Sequence, residues 1–144
     1  MPLIYVYSPQ GTFTDSARDL LADELTDIAL ACEKLPNTPF VKSTTWIYFR
    51  DHDRSHVYHG GKSTGTKVIS LEVNAFQGGF DVQAKKELFA QFTDAIRRHA
   101  GLPENDLVPV YIVMRDVPPA DLGVFGDTIT LDALRNPPLD AKPV

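Results

Sequence analysis

The sequence predicts an α/β fold of the α+β type, in which two tandem β-α-β units form one four-stranded sheet with two helices on one face. Two observations carry this prediction. Short runs of apolar and β-branched residues alternate with longer stretches whose apolar residues recur at helical spacing. This strand–helix–strand order also occurs twice, at similar intervals. The length of 144 residues fits one domain, so we expect a single domain over residues 1–144.

The first unit begins with an apolar strand at residues 3–7, which the turn-forming "SPQGT" closes. Thr14 or Asp15 can cap the following helix by accepting hydrogen bonds from unpaired backbone N–H groups. The apolar residues of that helix recur at helical spacing and predict its buried face: Ala17, Leu21, Leu25, Ile28 and Cys32. "KLPNTP" ends the helix, and "FVKSTTWIYF" (residues 40–49) predicts the second strand.

The second unit follows a hairpin-like connection, "RDHDRSHVYHGGKSTG", and opens with the strand "TKVISLEV" at residues 66–73. Asp81 is placed to cap a helix, and Gly101 to end it. The predicted apolar stripe of that helix comprises Leu88, Phe89, Phe92, Ala95 and Ile96. "LVPVYIVM" predicts the last long strand. The tail "GVFGDTITLDAL" contains a short strand that could pair with the sheet edge of a neighbouring chain.

Composition excludes several classes of function. With 43% hydrophobic and 23% charged residues, the chain has the composition of a soluble globular protein. Its net charge of −5 argues against non-specific nucleic-acid binding, and no segment approaches the ~20 apolar residues of a membrane helix. The first residues lack the basic region of a signal peptide. A single cysteine supports no disulfide framework, which fits a cytoplasmic protein.

The recognisable catalytic and metal-binding patterns are weak. His52, His56 and His59 lie close together, but a strand and turn do not make them converge as zinc requires. "GGKST" lacks the earlier glycine of a phosphate-binding loop and leads into a strand rather than a helix. Cys32, on an apolar helix face, is a poor nucleophile. We therefore expect neither a metal nor an organic cofactor.

Pro2 is the chemically unusual residue. If Met1 is removed, the chain begins with a secondary amine at the end of an apolar strand. Burial disfavours the charged form of an amine, so part of the population would be neutral near pH 7 and able to take a proton. A proline nitrogen inside a peptide bond is not basic, and removal of Met1 is therefore essential to this role.

The order and spacing of several segments resemble the tautomerase superfamily. They are the starting "MP" on a strand, the pattern T-x-S-A-R-x-x-x-A-x-x-L-T-D at residues 14–27, "VYHGG", "VNAFQGGFDVQAKKEL" and "VYIVMRDVPPADLGVFG". The resemblance spans residues 2–130 and is nearest to the cis-3-chloroacrylic acid dehalogenase-like family, related to macrophage migration inhibitory factor and 4-oxalocrotonate tautomerase. It implies a homotrimer with active sites at subunit interfaces and a processed Pro2 as general base and acid.

Departures from the family pattern argue against dehalogenation. Ala29 stands where the dehalogenases have a histidine, and residues 74–79 lack the two arginines of that family. Val124 lies near the position of the family's water-activating glutamate. What remains resembles the inhibitory-factor family. By that resemblance Tyr111, Asn74 and Lys34 are candidate substrate-binding residues, of which Tyr111 would reach a neighbouring subunit's pocket.

Arg50, Arg54 and Arg115 are possible replacements for the missing cations, and we select Arg50. The predicted function is that of a tautomerase acting on a small 2-oxo or enol acid, a small-molecule carboxylate or carbonyl substrate. Two alternatives stay open: a non-catalytic trimeric binding protein of the same fold, and a ferredoxin-like ligand-binding module unrelated to tautomerases. Replacement of Pro2 by alanine separates them from the enzyme.

Overall fold

The computed structural model describes residues 1–104 and 107–144, and its centre is a mixed four-stranded sheet. The strands are β1 (Leu3–Pro9), β2 (Trp46–His52), β3 (Ile69–Phe76) and β4 (Val110–Val117), in the spatial order β2-β1-β3-β4. β1 runs parallel to β2 and antiparallel to β3, and β3 runs parallel to β4. The predicted sheet of two β-α-β units is confirmed.

Two long helices, α1 (Asp15–Glu33) and α3 (Val82–His99), pack side by side on one face of this sheet. Their N-termini form where the sequence predicts, because the side chains of Thr14 and Asp81 accept hydrogen bonds from backbone N–H groups of the first turn at 3.1 Å and 2.8 Å. After α3, Gly101 adopts the left-handed conformation (φ 62°) that favours glycine at helix ends.

The main core lies between these helices and the sheet. Strand residues such as Ile4, Val6 and Leu71 are fully buried against Leu88 and Phe92 of α3. Cys32 is buried in the same core, and burial raises the pKa of its thiol. The cysteine is therefore a packing residue, as predicted.

A second, smaller core lies beside the N-terminus. It comprises Met1, Leu30, Leu35, Val41, Phe76 and Leu134. Two short helices contribute to it, α2 (Pro39–Ser43) and α4 (Leu131–Arg135), and α4 supplies the fully buried Leu134. This second core holds the first residue of the chain in place.

The structure corrects one expectation about local structure and shows the form of the tail. Residues 40–45 are not the beginning of a strand, because Thr38 caps α2 and Pro39 occupies its first turn, so that β2 starts only at Trp46. The tail forms a small hairpin of its own, in which β5 (Gly123–Val124) pairs with β6 (Asp127–Thr128), before α4 begins.

The other face of the sheet carries large side chains that are open to solvent in one protomer. Trp46, Tyr48, Tyr111 and Val113 are all exposed on it. We call this surface the open face. No helix within residues 1–104 and 107–144 has the length and apolar character needed to cross a membrane.

Candidate functional site

Pro2 lies at a cavity of about 380 Å³ between the start of β1 and the C-terminal hairpin. The lining residues are mostly apolar: Met1, Pro2, Leu3, Thr44, Trp46, Asn74, Val117, Asp121, Leu122, Gly123, Val124 and Phe125. Pro2 is itself buried, and its carbonyl accepts a hydrogen bond from the Trp46 N–H at 3.3 Å. The sheet therefore fixes the first residues of the chain at the wall of a cavity large enough for a small ligand.

Met1 is buried beside Pro2 at the wall of this cavity. Its side chain, only 6% exposed, packs in the second core, and its ammonium group forms an ion pair with Oε2 of Glu33 at the end of α1. While Met1 is present, the nitrogen of Pro2 is an amide nitrogen and cannot act as a base. The fold therefore binds Met1, although the predicted chemistry requires its removal.

Glu33 is a residue that the sequence analysis missed. Its side chain is completely buried, and its second carboxylate oxygen, Oε1, has no hydrogen-bond partner among the residues that the structure describes. A signal was present, because Thr26, Leu30 and Glu33 share one face of α1 at spacings of four and three residues. Burial of a carboxylate is costly unless a cation accompanies it, and here the cation is the N-terminus.

Burial also acts on the ammonium group of this pair. It lowers the pKa of the Met1 ammonium below its usual value of 8.0, because the apolar surroundings disfavour the charged form. The charge of Glu33 and its hydrogen bond act in the opposite direction. A nitrogen in this region is therefore subject to two opposing influences: desolvation, which favours the neutral amine, and Glu33, which favours the ammonium.

Gly79 makes room for the Glu33 carboxylate. A Cβ atom at position 79 would lie 2.6 Å from Oε1 of Glu33 and 3.2 Å from the carbonyl oxygen of Phe76. The side chain of Glu33 has little freedom to withdraw, because it is fully buried. A glycine is consequently required where the turn after β3 crosses the end of α1.

We expect Gly79→Ala to lower the free energy of unfolding by about 1–3 kcal/mol, the usual cost of inserting a methyl group into a packed site. The measurement is urea denaturation at pH 7. Gly123→Ala is the matched control, since a Cβ there meets no atom of the described residues within 4 Å, and it should change the stability by less than about 0.5 kcal/mol. Equal effects of the two variants would contradict the close contact at Gly79.

Asn74 is the predicted substrate-binding residue that lines the cavity within one protomer. Its side-chain amide donates a hydrogen bond to the carbonyl of Leu3 at 3.4 Å, which couples it to the strand that carries Pro2. Lys34 lies elsewhere. It caps the end of α1 in the left-handed conformation (φ 57°), is 76% exposed, and has its Nζ 3.9 Å from a carboxylate oxygen of Asp81.

Tyr111 and Arg50 lie on the open face rather than at the cavity of their own protomer. Tyr111 is 71% exposed on β4. The guanidinium of Arg50 lies over the ring of Tyr5, 4.9 Å from its centroid, and that ring stacks on Tyr48. Arg115, also on this face, pairs with Glu72 at 2.8 Å. Any contact of these residues with a cavity would have to involve a second subunit.

The cavity has an acidic rather than a basic character within one protomer. The described residues that line it include no lysine or arginine, while Asp121 is among them and Glu33 lies behind Met1. Across residues 1–104 and 107–144, His, Cys, Asp and Glu side chains form no group of three suited to a metal ion. The chemistry available at the site is that of an amine, a carboxylate and an amide in apolar surroundings.

The chain matches one protein-family model and resembles several solved structures. The family model described as tautomerase enzyme matches residues 70–131, from β3 to the beginning of α4. A search of curated proteins gives no significant match. Among solved structures, the F6 fused 4-OT wild-type asymmetric trimer is similar with a TM-score of 0.74 and 22% identity, over 93% of this chain and 99% of that one.

Two other solved structures have the same architecture. N1, a member of the cis-3-chloroacrylic acid dehalogenase family, gives a TM-score of 0.74 at 19% identity, over 89% of this chain and 83% of that one. Macrophage migration inhibitory factor from Toxoplasma gondii gives 0.70 at 17% identity, over 88% and 99% of the two chains. The chain thus has the fold of these structures, and the resemblance to the tautomerase superfamily predicted from its sequence is confirmed by the family model over residues 70–131.

Proposed function

We propose that the chain, once Met1 is removed, is a tautomerase that uses the Pro2 amine as general base and acid on a small 2-oxo or enol acid. The observation that carries this proposal is the position of Pro2. It is a buried residue at the wall of an apolar cavity, and its carbonyl accepts a hydrogen bond from the Trp46 N–H. An amine fixed in such surroundings is partly neutral near pH 7 and is suited to proton transfer.

The proton transfer needs no co-reactant. The neutral Pro2 nitrogen takes the hydroxyl proton of the enol, and the resulting ammonium returns a proton to the carbon as the C=C electron pair forms the new C–H bond. The enol oxygen becomes the carbonyl oxygen. Atoms and charge balance, so the reaction is an isomerisation in which the protein only moves a proton between oxygen and carbon.

Groups that polarise the carbonyl oxygen would lower the barrier further. Asn74 lines the cavity already. We propose that Tyr111 and Arg50, both on the open face, reach the cavity of a neighbouring subunit, where Arg50 would hold the carboxylate of the substrate at the outer mouth. Lys34 is a weaker candidate for that role because its Nζ already lies near Asp81.

A homotrimer would bring these residues to a shared site. Two features support it: the exposed aromatic residues of the open face, and the trimers named for the fused 4-OT structure. We expect light scattering to give about three times the 16.0 kDa mass of the chain. A monomer at micromolar concentration would contradict this assembly. The single buried cysteine fits a reducing cytoplasm, where we propose that the protein works.

One observation favours the alternative of a non-catalytic binding protein with the same fold. Met1 is well accommodated, with a buried side chain and an ion pair to Glu33. A chain that kept Met1 would have an amide nitrogen at residue 2. The same fold would then present its surfaces to a ligand or partner without any base at Pro2.

The experiment that tests the proposed function compares ketonisation of phenylenolpyruvate by the wild type and by Pro2→Ala, with intact mass confirming that both chains begin at residue 2. We expect the variant to be slower by about 10²–10⁴-fold, the usual contribution of a positioned acid–base group. Pro9→Ala, at the other end of β1, is the control and should keep the wild-type rate. Equal rates for the wild type and Pro2→Ala would exclude Pro2 as the base.

A further inference from the structure

The inference concerns the site that Met1 fills, and it rests on the proposed removal of Met1. The contacts that Met1 makes are of the kind that bind a small ligand. Its ammonium group is bound by a carboxylate, and its unbranched side chain lies among Leu30, Leu35 and Phe76. Removal of Met1 by an aminopeptidase during synthesis would leave in place both Glu33 and the apolar residues that contact the Met1 side chain.

Glu33 makes this site specific for a cation. The carboxylate is completely buried, and one of its oxygens is bound by the Met1 ammonium. The other oxygen has no hydrogen-bond partner within residues 1–104 and 107–144. Lys34, the adjacent basic residue, is 76% exposed and has its Nζ near Asp81 instead. A buried carboxylate that loses its counter-ion is strongly destabilised, so a new cation at this position would be bound favourably.

The Pro2 amine is the competing cation, and the backbone limits its access. Consecutive backbone nitrogens lie about 3–4 Å apart, so the Pro2 nitrogen is one residue farther along the chain than the ammonium that Glu33 now binds. The residues around Pro2 are held by strand pairing, through the Trp46 N–H to the Pro2 carbonyl and Leu3 opposite Asn74. The amine would have to leave this arrangement to replace the Met1 ammonium fully.

We propose that the processed protein binds a small aliphatic carbonyl or enol compound that carries a primary ammonium group. The ammonium pairs with Glu33, the aliphatic chain takes the place of the Met1 side chain, and the carbon between ammonium and carbonyl lies next to the Pro2 nitrogen. The ammonium of such a compound also disfavours protonation of the nearby Pro2 amine, since like charges repel. A ligand that brings its own positive charge is thus favoured at this subsite, in addition to the enol acids of the proposed function.

The test is calorimetric titration of L-methioninamide, which has the ammonium and side chain of Met1 and no carboxylate. The protein is prepared with Pro2 as its first residue by specific cleavage of a tag. We expect binding to this protein, at least tenfold weaker binding to its Glu33→Gln variant, and no binding to a chain that begins at Met1. The neutral analogue 4-(methylthio)butanamide, which lacks the ammonium, should bind at least tenfold more weakly to the wild type.

Two results would overturn the proposal: absence of methioninamide binding to the chain that begins at Pro2, or equal affinity for the two amides. The second result is obtained on the wild type, so it holds even if Glu33→Gln fails to fold. Binding does not require a base, so the titration is independent of the ketonisation assay. Ketonisation that is independent of Pro2, together with binding that depends on Glu33, would reject the proposed function and leave this site standing.

Discussion

Glu33→Leu, in a chain that begins at Met1, is expected to lower the free energy of unfolding by about 3 kcal/mol at pH 7. The variant removes one partner of a buried ion pair and leaves the other in apolar surroundings, which is among the costliest single changes in a protein. The leucine fills most of the volume of the glutamate, so a cavity contributes little. Urea denaturation of both chains measures the difference.

The cost should also depend on pH in a defined direction. Without Glu33, burial alone acts on the Met1 ammonium and lowers its pKa further below the value of 8.0 that it has when unfolded. The unfolded chain then binds more protons than the folded one as the pH falls below 8, and the variant loses stability by up to about 1.4 kcal/mol per pH unit. Above pH 8 the amine is neutral in both states and this part of the cost disappears.

Glu87→Leu is the control for this experiment, since Glu87 is an exposed glutamate of α3. It should change the free energy of unfolding by no more than about 0.5 kcal/mol, without the pH dependence described for position 33. A Glu33→Leu variant as stable as the wild type between pH 6 and 8 would show that the Met1 ammonium is not buried beside Glu33 in solution.

The second large effect is expected on the ketonisation rate when Met1 is retained. A chain that begins at Met1 should ketonise phenylenolpyruvate at least about 10²-fold more slowly than the same chain beginning at Pro2. Two causes act together. The peptide bond removes the basicity of the Pro2 nitrogen, and Met1 takes up the position next to that nitrogen at the cavity wall.

The pH dependence of the chain that begins at Pro2 tests whether its amine is the base. The neutral amine is the base, so kcat/KM should rise with pH through the ionisation of Pro2 and then level off. The chain that begins at Met1 has no ionisable nitrogen at residue 2 and should show no such rise above the buffer-catalysed rate.

Local signals predicted most of the fold. Thr14 and Asp81 are good N-cap residues that precede apolar stripes of helical period, and both helices begin there. The alternation of strand and helix was enough to give the sheet and its uncovered face. These features depend on neighbouring residues in the chain, and this is why sequence analysis could find them.

The short helix α2 shows how one local signal prevails over another. The β-branched residues Thr44 and Thr45 favour a strand, but Thr38 followed by Pro39 is a helix start, with a capping side chain and a proline in the first turn. For this reason β2 begins only at Trp46. The cap and proline were visible in the sequence but were interpreted only as the end of α1.

Glu33 was missed for a different reason. Its burial results from contacts with the N-terminus, 32 residues away, and with the turn at Gly79. A glutamate near the end of a helix is usually solvated, and the face that it shares with Thr26 and Leu30 is a weak signal beside these distant contacts. Similarly, the positions of Tyr111 and Arg50 on the open face depend on strand order and register, which place them away from the cavity of their own protomer.

The most direct test of the central claim, that the free amine of Pro2 is the catalytic base, is one pair of rates. The same sequence is prepared by tag cleavage to begin either at Met1 or at Pro2, and each mass is verified before phenylenolpyruvate ketonisation is followed at pH 7. The account predicts catalysis well above the buffer rate from the chain that begins at Pro2, and none from the chain that begins at Met1. Equal rates from the two chains would contradict it.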